Sequence, residues 1–186
     1  AVARSTRLRG EDLVADLFEV MHDLHFLRDA LEGGDFCLAA GMEKIPSETG
    51  FVHLYNIDRR EFVITSTRGA RAAALLLRHH GEGEKVLATA MRRRRAVVIA
   101  DASQGEAASV ERYAAVGGAR SVIVAPVMQA GRFLGAIELL NPLDGHPFTS
   151  SDGDAVGYIA SQFAEFVAAR GVVTDPERIS ARRPRA

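Results

Sequence analysis

The chain has 186 residues, 47% of them apolar and 25% charged, with a formal net charge of -1. That length suits one domain with a substantial core and flanking helices, and the near-neutral balance argues against whole-surface attraction to nucleic acid or anionic lipid. The single cysteine, Cys37, excludes an internal disulfide and a cysteine-based zinc cluster; with no apolar run of ~18 residues and no signal-peptide core at the start, a cytoplasmic protein is expected.

The chain begins at Ala1 rather than at methionine, as a piece of a longer protein would. Residues 1–10 read as a basic, disordered arm. From Glu11 the apolar spacing is helical, with Leu13, Leu17, Val20, Met21, Leu24, Leu27 and Leu31 on one stripe. Gly33-Gly34 is expected to break that helix, and Phe36 to Ile45 to form a shorter one closed by Pro46. Phe51 to Ile57 and Glu61 to Arg68 read as a hairpin around Asn56–Arg60. Gly69 to His80 suits a helix or a packed loop. Glu84 to Arg94 reads as a helix, Ala96 to Ala100 as a short buried strand, Asp101 to Ala108 as loop and Ser109 to Val116 as a short helix.

The most informative stretch runs from Ala119 to Asp152. Ser121 to Met128 is apolar and largely β-branched, as in a strand buried on both faces. Gly131 supplies positive φ for a turn, and Phe133 to Leu140 forms the returning strand. Gly135 inside that strand marks a bulge or a close approach by another group. Glu138 is its single charge. A carboxylate there has to be paired, hydrogen-bonded or turned into a cavity. Phe148 to Asp152 offers an N-cap for a last helix ending at Arg170. Residues 171–186 read as a disordered basic tail.

The order helix, hairpin, helix, strand, helix, hairpin, helix resembles a GAF domain over residues 11–170. Three motifs carry the resemblance: Val97 to Ser103 (VVIADAS), Gly118 to Val127 (GARSVIVAPV), and Leu134 to Asn141 (LGAIELLN) followed by Phe148-Thr149 and Asp152. The resemblance implies an α+β fold, a central antiparallel sheet of five to six strands with helices on both faces. The N- and C-terminal helices would pack on one face and there pair two subunits into a homodimer. The other face, under the middle helices, would hold a small-molecule pocket. Implied functions are those of a bacterial sensory or regulatory module in signal transduction, non-catalytic, binding a small molecule or dimerising to control an output domain or partner. A ligand-free scaffold is the alternative; a reductase of free methionine sulfoxide is the third reading. Fold does not choose among them.

Glu138 is the best ligand-contact candidate, with a salt bridge to an arginine such as Arg120 as the bland alternative. Asp101, Ser103, Tyr113, Arg120 and Ser121 would crowd the same pocket. Asp101 could equally cap its own loop, Tyr113 could stack on a planar ligand or pack on the sheet, and Arg120 could clamp an anion. A cyclic nucleotide is weakened as cofactor. Asn141, Phe148 and Asp152 match the signature of nucleotide-binding members, but Pro142 and Gly153 replace its Lys and Glu. Cys37 precedes the first strand, which speaks against bilin attachment and leaves sulfoxide reduction without a resolving thiol. A haem-ligand role for His79 or His80 has no supporting pattern, and neither that pair nor His22 and His25 has partners spaced for a metal. Arg92 to Arg95 ends a predicted helix, where cations complement the dipole; the alternative is a phosphate or nucleic-acid patch, and neither nucleic acid nor membrane is expected as a partner.

Overall fold

The structure, a computed structural model, describes Leu8 and residues 10–182. The expected arm therefore lies outside the described residues except at Leu8 and Gly10, as do the last four residues of the tail.

Six strands form one antiparallel sheet: β1 (Ser47–Asn56), β2 (Glu61–Arg68), β3 (His79–Gly81), β4 (Val97–Ile99), β5 (Val122–Gln129) and β6 (Arg132–Pro142). Their order is β3-β2-β1-β6-β5-β4, so two hairpins meet along β1 and β6 at the centre. Alternation then sends side chains to two cores. Val52, Leu54, Ile137 and Leu139 face the terminal helices, whereas Phe51, Phe62, Val124 and Leu140 face the middle ones.

Helices α1 (Gly10–Met21), α2 (Ala30–Lys44) and α5 (Ser150–Arg170) cover the first face. The long stripe read as one helix is in fact α1, a 3-10 turn over His22–Phe26, and α2. The break falls where the Asp29 carboxylate caps α2, accepting from the amides of Leu31 and Glu32, each at 3.0 Å. Gly33-Gly34 lies inside α2 rather than ending a helix. Packing explains this, because a Cβ at Gly33 would stand 2.6 Å from the Phe166 ring and one at Gly34 3.3 Å from Val52. The glycines let α2 press onto α5 and the sheet.

The second face carries α3 (Lys85–Arg93), α4 (Glu111–Ala115) and a 3-10 turn at Gly105–Ser109. The segment expected as helix or loop contains a 3-10 turn, Ala72–Leu75, and the edge strand β3, whose His80 pairs with Phe62 of β2. Both readings of Gly135 apply. The β5–β6 register slips beside it, between Val127 and Met128, and a Cβ there would lie 2.1 Å from the His53 carbonyl oxygen.

The disorder expected after Arg170 does not hold for residues 171–182. Asp175 caps α6 (Pro176–Ser180), and Ile179 is buried in the terminal-helix core. Arg178 pairs with Asp29 at 2.8 Å and Arg182 with Asp35 at 2.6 Å and Glu32 at 3.9 Å, so one apolar anchor and three ion pairs strap this segment to α2.

Candidate functional site

Glu138 sits opposite Phe51 of β1 and Val124 of β5, at the centre of the sheet beneath α4. It is fully buried, and its carboxylate is the hub of a polar cluster. Arg112 of α4 donates to both oxygens, from Nε and Nη2, each at 2.8 Å. Such a two-point fork is the strong form of this pairing. The Tyr113 hydroxyl donates to Oε2 at 2.5 Å, and His53 of β1 meets Oε1 through Nε2. A carboxylate only accepts, so His53 carries its proton on Nε2. Glu84, the N-cap of α3, stands 3.2 Å from Arg112 Nη1. The cluster thus ties α3, α4, β1 and β6 together.

Burial alone would raise the Glu138 carboxyl; Arg112 and then His53 outweigh it and hold the group well below the usual carboxylate range. The same burial, joined by the Glu138 charge, pushes the Tyr113 phenol up. Two ring nitrogens remain over. His53 Nδ1 and His80 Nε2 are buried and have no hydrogen-bond partner among the described residues. Their rings stand edge to face with centroids 5.7 Å apart.

His80 titrates on its own schedule. Burial, then the Arg112 charge, lowers it from 6.5 to about 4. Above pH 6.5 it is neutral in folded and unfolded chains alike and contributes nothing. As pH falls from 6.5 towards 4 the unfolded chain takes up a proton that the folded one refuses, so stability drops. His80→Gln is expected to remove about 1–2 kcal/mol of that loss, a figure reduced for the partial exposure of the ring. Urea midpoints at pH 7 and pH 5 check it; an unchanged difference between the two pH values in the variant would refute the assignment.

Of the six residues expected to share a pocket, only Tyr113 joins Glu138. Arg120 pairs with Glu48 at 2.6 Å on the surface. Ser121 is buried where β5 begins, its hydroxyl donating to the Ile99 carbonyl and accepting from the Phe148 amide. Asp101 closes its own exposed loop, its Oδ1 accepting from the Ser103 amide at 3.0 Å and hydroxyl at 2.5 Å. The arginine that answers Glu138 is Arg112, not Arg120. His53, His80, Glu84 and Arg112 were not singled out as members of this cluster. His53 was legible, because alternation places it with Phe51 and Tyr55.

The nucleotide-signature matches have structural work. Asn141, at φ 59°, accepts from the Arg120 amide at 2.7 Å and donates to the Gly118 carbonyl and Glu48. Phe148 is core, and Asp152 forms a capping box with Thr149. At Gly153 a Cβ would meet Val98 Cγ2 at 2.5 Å, which accounts for the missing glutamate. Cys37 is buried in α2 on the opposite face from Glu138, and burial pushes its thiol up, away from the reactive thiolate. Among the described residues no group of three or more His, Cys, Asp or Glu could hold a metal ion, and no helix is long and apolar enough to cross a membrane.

A central antiparallel sheet with terminal helices on one face and short helices on the other is an architecture typical of sensory and regulatory domains. The family model for the GAF domain matches residues 32–168, and the chain belongs to that family. Solved structures agree on the fold. The GAF domain of a phosphoenolpyruvate-protein phosphotransferase from Coxiella burnetii aligns with TM-score 0.73 and 14% identity, over 84% of this chain and 93% of that one. The corresponding Acinetobacter domain gives 0.70 and 11%, over 86% and 95%. A free methionine-R-sulfoxide reductase from Neisseria meningitidis, in complex with its substrate, gives 0.67 and 20%, over 87% and 93%. No curated protein matches the chain. GAF domains are mostly non-catalytic regulatory modules, although one of these neighbours is an enzyme.

Proposed function

We propose that this chain is a non-catalytic sensory module that holds a small polar molecule beside the Glu138 cluster and passes the change to its terminal helices. The observation that carries this reading is the pair of buried, unpartnered nitrogens, His53 Nδ1 and His80 Nε2, next to a fully buried ion pair. Apolar residues of similar volume would often be as stable there, and a buried polar atom without a partner costs about 1–3 kcal/mol. His53 Nδ1, the ring nitrogen that Glu138 does not engage, is left to hydrogen-bond a small polar ligand. Glu84 and Arg112 link α3 and α4 to the sheet, so a ligand displacing either would move both helices. The inert, distant Cys37 supports the non-catalytic part of the reading.

Native mass spectrometry of protein purified from its own host, followed by a thermal-shift panel of nucleotides and metabolites, tests it. A ligand at about a hundred times its Kd is expected to raise Tm by about 5–10 °C, and His53→Phe to abolish the shift. No retained mass and no stabilising compound would sink the sensor reading within the classes tested.

A separate observation favours the scaffold reading, in which the terminal helices carry the function. Phe18 is 70% and Phe26 77% exposed, on and just beyond α1, away from the buried Leu13–Leu17–Met21 stripe. Beside Phe18 a groove runs between Val14 and Ala15 of α1 and the first turn of α5. Such an apolar patch fits a homodimer interface. Sedimentation of the protein at high micromolar concentration is expected to show a dimer that Phe18→Glu disrupts; a monomeric parent protein would count against it.

A further inference from the structure

The arginine run at the end of α3 is exposed, and three of its members line a groove. Arg94 closes α3 in the left-handed region, φ 54°, its amide donating to the Ala90 carbonyl at 2.9 Å. That turn sends Arg93, Arg94 and Arg95 along one rim of a groove of about 640 Å³. The floor is apolar, from Val98, Pro126 and Met128, and the far wall is the first turns of α5 around Ser150 and Gly157. None of the polar cluster around Glu138 contributes to it.

Arg28, Arg60, Arg112, Arg120, Arg178 and Arg182 each meet a carboxylate. Arg93, Arg94 and Arg95 meet none among the described residues, although Asp154 lines the same groove. Arg68, Arg71, Arg78, Arg92, Arg132 and Arg170 also lack a carboxylate partner among the described residues, but only Arg93, Arg94 and Arg95 line one groove together. The amide end of α5 is already served by the Thr149–Asp152 capping box, so anion attraction here rests on the guanidinium groups. Three of them at the rim of a concave, apolar-floored site are matched by a phosphate group joined to a flat or apolar body. The volume is within the range of ordinary small-molecule sites.

We infer that this groove is a second binding site, separate from the Glu138 face, for a phosphate-bearing metabolite about the size of a mononucleotide. The phosphate lies against Arg93–Arg95 and the body over Pro126 and Met128. A ligand there bridges the end of α3 to α5, connecting the middle helices with the terminal ones.

Calorimetric titration of the whole chain with adenosine monophosphate and with pyrophosphate tests the inference. Saturable binding is expected, weakened about tenfold or more in the triple variant Arg93→Gln, Arg94→Gln, Arg95→Gln, and falling as salt rises. The charge-matched control Arg68→Gln, Arg71→Gln, Arg78→Gln is expected to bind as the parent does. Equal losses in both triples would reduce the effect to general charge attraction and overturn the site. No saturation by either probe would overturn it too, as would tighter binding of a single-stranded oligonucleotide, which would mark a nucleic-acid surface. Should the first triple fail to fold, the exposed single change Arg95→Gln carries the same comparison. Failure here leaves the reading of the Glu138 face standing, since the two sites share no residue.

Discussion

Glu138→Ala is expected to destabilise the protein by about 3–5 kcal/mol, the cost of stranding one member of a buried ion pair. The reason lies in what is left behind. Arg112 is 2% exposed, and its guanidinium would lose both of its bonds to Glu138 while keeping its charge inside the core. Tyr113 and His53 would each lose a partner as well. Chemical denaturation checks the figure, and a loss below about 1 kcal/mol would mean that the cluster is solvated. The double change Glu138→Leu with Arg112→Met is expected to recover most of the loss, because it removes both charges at similar volume. A double variant as unstable as the single one would show that packing, not charge, holds the site. Such recovery would also mean that the pair is kept for something other than stability, which links this measurement to the sensor reading.

Gly135→Ala is expected to cost about 3 kcal/mol or more, at the upper end of overpacking effects. The added methyl would fall 2.1 Å from the His53 carbonyl oxygen, and backbone cannot swing aside as a side chain does. Relief requires β1 to shift at His53, the residue whose ring meets Glu138. Gly81→Ala in edge strand β3, where a Cβ meets nothing within 4 Å, serves as the control, and little change is expected there. Equilibrium unfolding of the two variants decides the matter. If Gly135→Ala stays within about 1 kcal/mol of the parent, β1 and β6 are looser at this point than their spacing implies.

Much of the fold was legible in the sequence because its strands are long and punctuated. The runs 61–68 and 122–142 alternate or stay apolar between turn residues, and the loop before α5 carries its capping signal in Thr149 and Asp152. Elements without such length were harder to read. Strand β3 is three residues long and exists through pairing with β2, which no local pattern announces. Gly33-Gly34 reads as a break by propensity, yet tertiary contact with Phe166 and Val52 overrides it. Helix α6 is five residues, and its place depends on Ile179 and two arginines finding α2. For the site, Glu138 stood out as a charge in an apolar strand, but its partner did not. Arg112 lies on a five-residue helix, too short for periodicity to reveal which side faces the sheet.

The central position of β1 beside β6 bears on how the chain is made. His53 and Glu138 are 85 residues apart in sequence. At synthesis rates of about 5–20 residues per second, the first hairpin waits on the order of ten seconds for its central neighbour. Through that interval Val52 and Leu54 have no β6 beside them, and the β1 edge that β6 will occupy stays open to other strands. Contacts this distant also slow the search once the chain is complete. The nascent first half is therefore the stage at which the β1 edge is most open to wrong pairing.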